Sequence, residues 1–154
     1  MNKKAFTLLE IILVVAVLGL ILTVVSLALF SKQAGIRDTK RLSDMKALRD
    51  AMQVVKNEKG SFEPVLCPLT SVNLCAQVGN SELLKYMTDL ANLRDPKNVS
   101  IPCSVANCGK DACNYSFVSI LPDEFQVMFY LEKGAPEIGG AGCYLLTEKG
   151  FKKQ

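Results

Sequence analysis

The chain has 154 residues, 18 Lys plus Arg against 15 Asp plus Glu, and no histidine. The missing imidazole excludes Ser-His-Asp and Cys-His catalytic arrangements, and a net charge of +3, or +1 without Lys3 and Lys4, is too balanced to predict nucleic-acid binding. No Gly-rich phosphate loop or Walker-type lysine occurs, so no catalytic residue is assigned and no cofactor is expected.

From Ile11 to Phe30 the sequence reads IILVVAVLGLILTVVSLALF, relieved only by Gly19, Thr23 and Ser26. Twenty residues at the α-helical rise span about 30 Å, the thickness of one bilayer core. A cleaved secretory signal has a shorter apolar core followed by a small-residue cleavage site, and no A-x-A-like site follows Phe30. A retained single transmembrane helix is therefore expected. Lys3 and Lys4 ahead of the run favour a cytoplasmic N-terminus, while Lys32, Arg37, Lys40 and Arg41 just beyond it weaken the asymmetry. Glu10 stands at the mouth of the run, and no formal charge follows until after Ser31. A carboxylate at a membrane-length helix costs up to about 3 kcal/mol at the bilayer centre and less near an interface, so Glu10 calls for a partner.

The first ten residues, MNKKAFTLLE, combine a short basic leader with a small residue and then Phe6-Thr7-Leu8-Leu9-Glu10 at the head of the apolar run. In these features the chain resembles the type IV pilin and type II secretion pseudopilin superfamily. The resemblance covers about the first 30 residues. It implies cleavage between Ala5 and Phe6 by a membrane-embedded prepilin peptidase, followed by N-methylation of Phe6. Most members have glycine where this chain has Ala5, and alanine is small enough to substitute, with slower processing expected. The resemblance also implies a role for Glu10: in a bundle of parallel, staggered helices, the new amine of Phe6 on one subunit sits beside Glu10 of the next. An opposite charge in a hydrocarbon-like surrounding is worth far more than at a wet surface. An ordinary single-span anchor whose Glu10 snorkels to the interface is the alternative reading.

Beyond the apolar run, residues 31–59 contain no proline, and Leu42, Met45, Leu48, Met52 and Val55 recur at three- and four-residue steps, one face of an amphipathic helix. Lys40 with Asp44 and Lys46 with Asp50 have the spacing of exposed i,i+4 pairs. Gly60 supplies a C-cap and Pro64 prevents resumption. One helix from Phe6 to about Lys59 would measure about 80 Å. Many members of the resembled family have a kinking proline where this chain has Leu27, and Gly19 is the weakest point in helix propensity.

Residues 60–154 are expected to form one small head, too short for two cores. A second helix is predicted from Glu82 to about Leu93, capped by Asn80 or Ser81 and ended by the turn Asp95-Pro96. Three strands are predicted, Tyr115–Leu121, Phe125–Leu131 and Cys143–Thr147, with a turn at Pro122-Asp123 and a Gly-rich link from Gly134 to Gly142. Alternation of Phe125, Val127, Phe129 and Leu131 gives the middle strand one strongly apolar face, for which the stripe from Leu42 to Val55 is the available cover. The expected fold is α+β: a long N-terminal helix, half membrane-spanning and half amphipathic, on a small three-stranded antiparallel sheet, pilin-like. The expected divisions are a leader at 1–5, an apolar helix at 6–30, its amphipathic continuation at 31–59 and a disulfide-stabilised head at 60–154.

All six cysteines, Cys67, Cys75, Cys103, Cys108, Cys113 and Cys143, lie in the head. An even number in a small extracytoplasmic domain favours disulfides, with free buried thiols and a zinc site as alternatives. Zinc is disfavoured by the absence of histidine and of any Cys-x-x-Cys pair. Local loop closure favours Cys67 with Cys75 and Cys103 with Cys108, leaving Cys113 to reach Cys143. Asp111, Asp123 and Glu124 do not have the spacing of a calcium loop and read as solvated turn residues. Lys149, Lys152 and Lys153 read as a solvated basic tail. Asn98-Val99-Ser100 and Asn114-Tyr115-Ser116 fit a glycosylation acceptor pattern common by chance.

The expected function, carried by the resemblance, is that of a filament subunit rather than an enzyme. It would be held in the cytoplasmic membrane with its N-terminus inside, then assembled into an extracellular or periplasmic type IV pilus or pseudopilus. Its partners would be like subunits, the prepilin peptidase, a membrane-embedded assembly platform and, before assembly, lipid. A minor or tip subunit, or a monomeric membrane-anchored binding domain, is the alternative.

Overall fold

The computed structural model describes residues 8–109 and 112–154, and of residues 27–31 the backbone alone. Helix α1 runs Leu8–Lys59, and a single-turn helix α2 occupies Leu83–Tyr86. Strands β1 (Ser116–Ile120), β2 (Phe125–Ala135), β3 (Gly139–Thr147) and β4 (Gly150–Lys153) form an antiparallel sheet in sequence order. The chain divides between Ala34 and Gly35 into two compact units, and α1 contributes to both.

Between Glu10 and Lys32, α1 in the first unit carries no formally charged residue. Two hydroxyls there are satisfied within the helix, Thr23 donating to the Leu20 carbonyl at 2.7 Å and Ser26 to that of Leu22 at 2.8 Å. The helix passes through Gly19 without interruption.

The second unit is the α+β head. Met45, Leu48, Met52 and Val55 of α1 are fully buried, as the stripe predicts, and pack with Val127, Phe129, Leu131, Tyr144 and Leu146 of the sheet. Gly60, at φ +75°, ends α1 with its N–H donating to the Lys56 carbonyl at 2.8 Å. Lys40 pairs with Asp44 at 2.5 Å, but Lys46 turns to Glu137 at 3.5 Å and Asp50 to Arg49 at 3.9 Å.

The sheet has four strands, one more than expected. The short β4 pairs Phe151 with Leu146 and Gly150 with Thr147, and the Phe151 ring meets that of Phe129 at 5.8 Å. The expected solvated tail is therefore partly a strand held by one aromatic anchor. The Gly-rich link also proves to be hairpin: β2 and β3 pair Ala135 with Gly139 and Gly134 with Gly140, then shift register before Leu131 pairs with Gly142. Gly134, at φ +84°, is required there, because a Cβ would sit 2.1 Å from the Gly139 carbonyl oxygen.

The second helix is far shorter than Glu82 to Leu93. Met87 leaves helical geometry, and Asp89 organises a separate 3-10 turn at Leu90–Asn92, accepting from the Asn92 amide side chain at 2.6 Å and backbone at 3.0 Å. Ser81 does not cap α2; its hydroxyl donates instead to the Val65 carbonyl.

One polar network crosses this apolar core. Arg41 is fully buried, and its guanidinium grips Asp95 at 2.6 and 3.0 Å, Asp38 at 2.8 Å and Glu132 at 2.7 Å. Arg37 adds two bonds of 2.7 Å to Glu132, and Lys97 a third contact at 3.0 Å. Asp38 in turn accepts the backbone N–H groups of Glu132, Lys133 and Gly134 at 2.9, 2.7 and 3.0 Å, the donors left over where β2 slips register. Hydrogen bonds from Arg37, then from Arg41 and Lys97, hold the Glu132 carboxyl down at about 2 against a burial effect of opposite sign. The same carboxylates, Asp95 foremost, raise Arg41 despite its burial.

A folded-state pKa below the ordinary value of 4.5 means that Glu132 contributes stability above about pH 4.5, lost as pH falls from there toward 2. Glu132→Gln should cost about 3 kcal/mol at neutral pH and flatten the acid limb of a stability-versus-pH curve measured by urea unfolding. Gly134→Ala should destabilise by more than about 1 kcal/mol in the same assay, whereas Gly79→Ala, with open space around its Cβ position, should not.

Candidate functional site

The feature that sets this chain apart is the first half of α1. Over Leu8–Ser26 the helix is long and apolar enough to cross a membrane, and none of those 19 residues is buried. Side chains around the whole circumference, from Leu8 and Ile12 to Val24 and Val25, are at least 48% exposed. Glu10 lies in the first described turn of this helix and is itself exposed, where a carboxylate is favoured by the helix dipole. Ala5 and Phe6, the expected processing pair, lie outside the described residues, as do Lys3, Lys4 and Asp111.

The six cysteines come together as three disulfides, Cys67–Cys75, Cys103–Cys113 and Cys108–Cys143. The first matches the expected pairing and the other two correct it: Cys103 takes Cys113 rather than Cys108, and Cys143 takes Cys108 rather than Cys113. The reason is the sheet. Cys103 and Cys113 flank parallel-bridged Pro102 and Asn114, with the Cys103 N–H donating to the Asn114 carbonyl at 2.8 Å, so the two segments already run side by side. Cys108, at the turn between them, is left over the second face of the sheet, where Cys143 lies. Here Cys103 and Cys113 pack with Met128 and Leu145. The sulfurs of Cys103, Cys108 and Cys113 lie within 4.8 Å of one another, a spacing a metal could use, but each is bonded in a disulfide and offers no thiolate.

Asp123 pairs with Lys56 at 2.5 Å, and Glu124 borders a cleft of about 310 Å³ beside β4. Of the two acceptor-pattern asparagines, Asn114 is buried and donates to Asn73 at 2.9 Å, while Asn98 is exposed in a left-handed turn at φ +54°.

Sequence reasoning missed the residues around Arg41. A signal existed: continuing the apolar stripe backward by three- and four-residue steps from Met45 reaches Arg41 and Asp38, which puts charge on the core face. Asp44 likewise faces inward, accepting from the Tyr115 hydroxyl at 3.0 Å; burial first, then the Asp44 charge, pushes that phenol's pKa up.

Compared with family models, curated proteins and solved structures, the chain matches none.

The three bridges close loops of 8, 10 and 35 residues. Replacing Cys108 and Cys143 together by serine should therefore cost about 4 kcal/mol, against about 2.5 kcal/mol for the Cys67 and Cys75 pair. Urea unfolding of the detergent-solubilised chain followed by far-UV circular dichroism checks the order.

Proposed function

We propose that this chain is a structural subunit of a type IV pilus or pseudopilus-like filament. A prepilin peptidase cuts it between Ala5 and Phe6, lipid holds its apolar helix, and a membrane-embedded platform adds it to a filament built on that helix. The observation that carries this reading is the helix from Leu8 to Ser26, apolar enough to cross a membrane and with none of its residues buried among the described residues. Fourteen large aliphatic side chains from Leu8 to Val25 await an apolar surrounding, worth more than about 10 kcal/mol once they are covered. Lipid meets that need before assembly and neighbouring helices meet it afterwards.

The head supports the same placement. Three disulfides favour an oxidising compartment, which supports a head outside the cytoplasm and an N-terminus within it, the orientation that Lys3 and Lys4 also favour. The Phe6-Thr7-Leu8-Leu9-Glu10 motif then gives Glu10 its task. Its carboxylate receives the amine that cleavage creates on Phe6 of the adjoining subunit, which sets the stagger of the helices.

Glu10→Val should be synthesised, inserted and cut normally, yet yield no filaments by electron microscopy of a sheared fraction. Normal filaments from that variant would overturn the pairing. Mass spectrometry of the wild-type sheared fraction should find this chain abundant and beginning with methylated Phe6. An uncut chain confined to the membrane fraction would instead identify a monomeric anchored domain, and a trace amount a tip subunit.

A further inference from the structure

Two of the three disulfides lie side by side. The sulfurs of Cys103, Cys108 and Cys113 are within 4.8 Å of one another, so the Cys103–Cys113 bridge adjoins the Cys108 end of the Cys108–Cys143 bridge. Their access to solvent differs. Cys103 and Cys113 are 4% and 2% exposed, whereas Cys108 and Cys143 are both half-buried. A cleft of about 280 Å³ opens onto both of the latter, with Val105, Gly109, Met128 and Gln154 completing its walls. Gly109, at φ +91°, borders the Cys143 sulfur, which a Cβ there would meet at 3.4 Å. In the Cys67–Cys75 bridge only Cys67 is half-buried, and Cys75 is fully buried in the main core.

Thiol–disulfide exchange needs a thiolate with access to one sulfur of the bond, and a neighbouring bridge can pass the exchange onward. We propose that Cys108–Cys143 is an exchange-active bridge, the point at which an external dithiol reaches the head, with Cys103–Cys113 as its internal acceptor. One thiolate of the dithiol attacks the Cys143 sulfur, and the Cys108–Cys143 bond breaks with its electron pair leaving on Cys108. The second thiol of the dithiol closes on the mixed disulfide, releasing Cys143 as a thiolate and the dithiol in oxidised form. The Cys108 thiolate then attacks one sulfur of the adjoining bridge, forming Cys103–Cys108 and expelling Cys113, or forming Cys108–Cys113 and expelling Cys103. Two electrons have passed from the dithiol to the protein, and two protein thiols take up the two protons it gave. The segment carrying Cys103, Cys108 and Cys113 is thereby untied from β3 yet remains closed on itself, so the tether over the second face of the sheet is redox-dependent. The apolar walls at Val105 and Met128 suit a protein dithiol with an apolar rim around its reactive sulfur.

The test uses the full-length, fully oxidised chain in detergent, treated with limiting dithiothreitol near pH 8, quenched with N-ethylmaleimide and mapped by peptide mass spectrometry. Label should appear at Cys143 about tenfold or more ahead of Cys67 and Cys75, together with a species in which Cys108 is bonded to Cys103 or Cys113. First labelling at Cys67 and Cys75, or at Cys103 and Cys113 with Cys108–Cys143 intact, overturns the assignment of the entry bridge. Labelling of Cys108 and Cys143 without any rearranged species overturns the internal acceptor. Cys143→Ser supplies a second measurement without reductant: its single thiol should distribute among Cys108, Cys103 and Cys113, and label found on Cys108 alone at every time point overturns the exchange.

Discussion

Arg41 holds the head together in a way that no apolar contact can. A guanidinium removed from water costs several kcal/mol, and only a complete set of acceptors makes its burial tolerable. The chain supplies that set from three places remote in sequence: Asp38 from the preceding turn of α1, Asp95 from the loop after the short helical turns, and Glu132 from β2. Arg37 and Lys97 balance the remaining negative charge, so three cations face three carboxylates. Among the described residues no buried side-chain polar atom lacks a hydrogen-bond partner. A slide of α1 by one turn would leave Arg41 buried without Asp95 and the β2 N–H groups without Asp38. The apolar stripe alone would resist that slide weakly, since Met45, Leu48 and Met52 are exchangeable in volume. The ion network therefore sets the register in which the stripe meets the sheet.

The irregularity of β2 follows from the same constraint. Between Leu131 and Gly134 the strand leaves its ladder with β3, and three of its N–H groups turn to the Asp38 carboxylate. A bulge at this point aims Glu132 at both arginines, and Gly134 is the residue that the tight passage past Gly139 permits. On the N-terminal side of the bulge β2 is buried on both faces. Val127 and Phe129 look toward α1, while Met128 meets the disulfide-linked segment. A head with only one long helix has a single cover to offer, and the bridged segment around Cys103, Cys108 and Cys113 provides the second where apolar side chains are few.

These dependencies explain what could be read from the sequence. The apolar run, the stripe from Leu42 to Val55, Gly60 as C-cap and the alternating core of β2 are each encoded by local periodicity, and each stands where that periodicity puts it. What was misread depends on partners distant in the chain. The four residues of β4 contain one apolar anchor, Phe151, too little to distinguish a strand from a tail without knowing that Leu146 and Phe129 await it. The segment from Glu82 to Leu93 has helical spacing, yet Asp89 spends its hydrogen bonds on a local turn. The disulfides show the contrast most plainly: sequence proximity favours Cys103 with Cys108, whereas the backbone pairing of Pro102 with Asn114 presents Cys113 instead. The locally favoured pair is one exchange step from the observed one, because all three sulfurs share the same small volume.

The two halves of α1 then pose opposite physical problems within one element. Up to Ser26 its surface is apolar and unburied among the described residues, while from Gly35 onward its inward face carries charge that carboxylates of the head neutralise. This bears on the cations that follow the apolar run. Arg37, Lys40 and Arg41, which weaken the charge asymmetry across the run, are each paired with a carboxylate in the folded head. In the proposed filament cover for the apolar half comes from neighbouring copies of the same helix, and an interface made of Leu, Ile and Val alone has little to fix its stagger, because such side chains pack acceptably in many registers. A single carboxylate near one end of the run changes this. In an apolar surrounding it favours those registers that bring a cation to it, and in the proposed filament that cation would be the amine of Phe6 created by cleavage. Glu10 would thus do for the assembly what Arg41 does for the head: impose one register on apolar surfaces that would otherwise accept several.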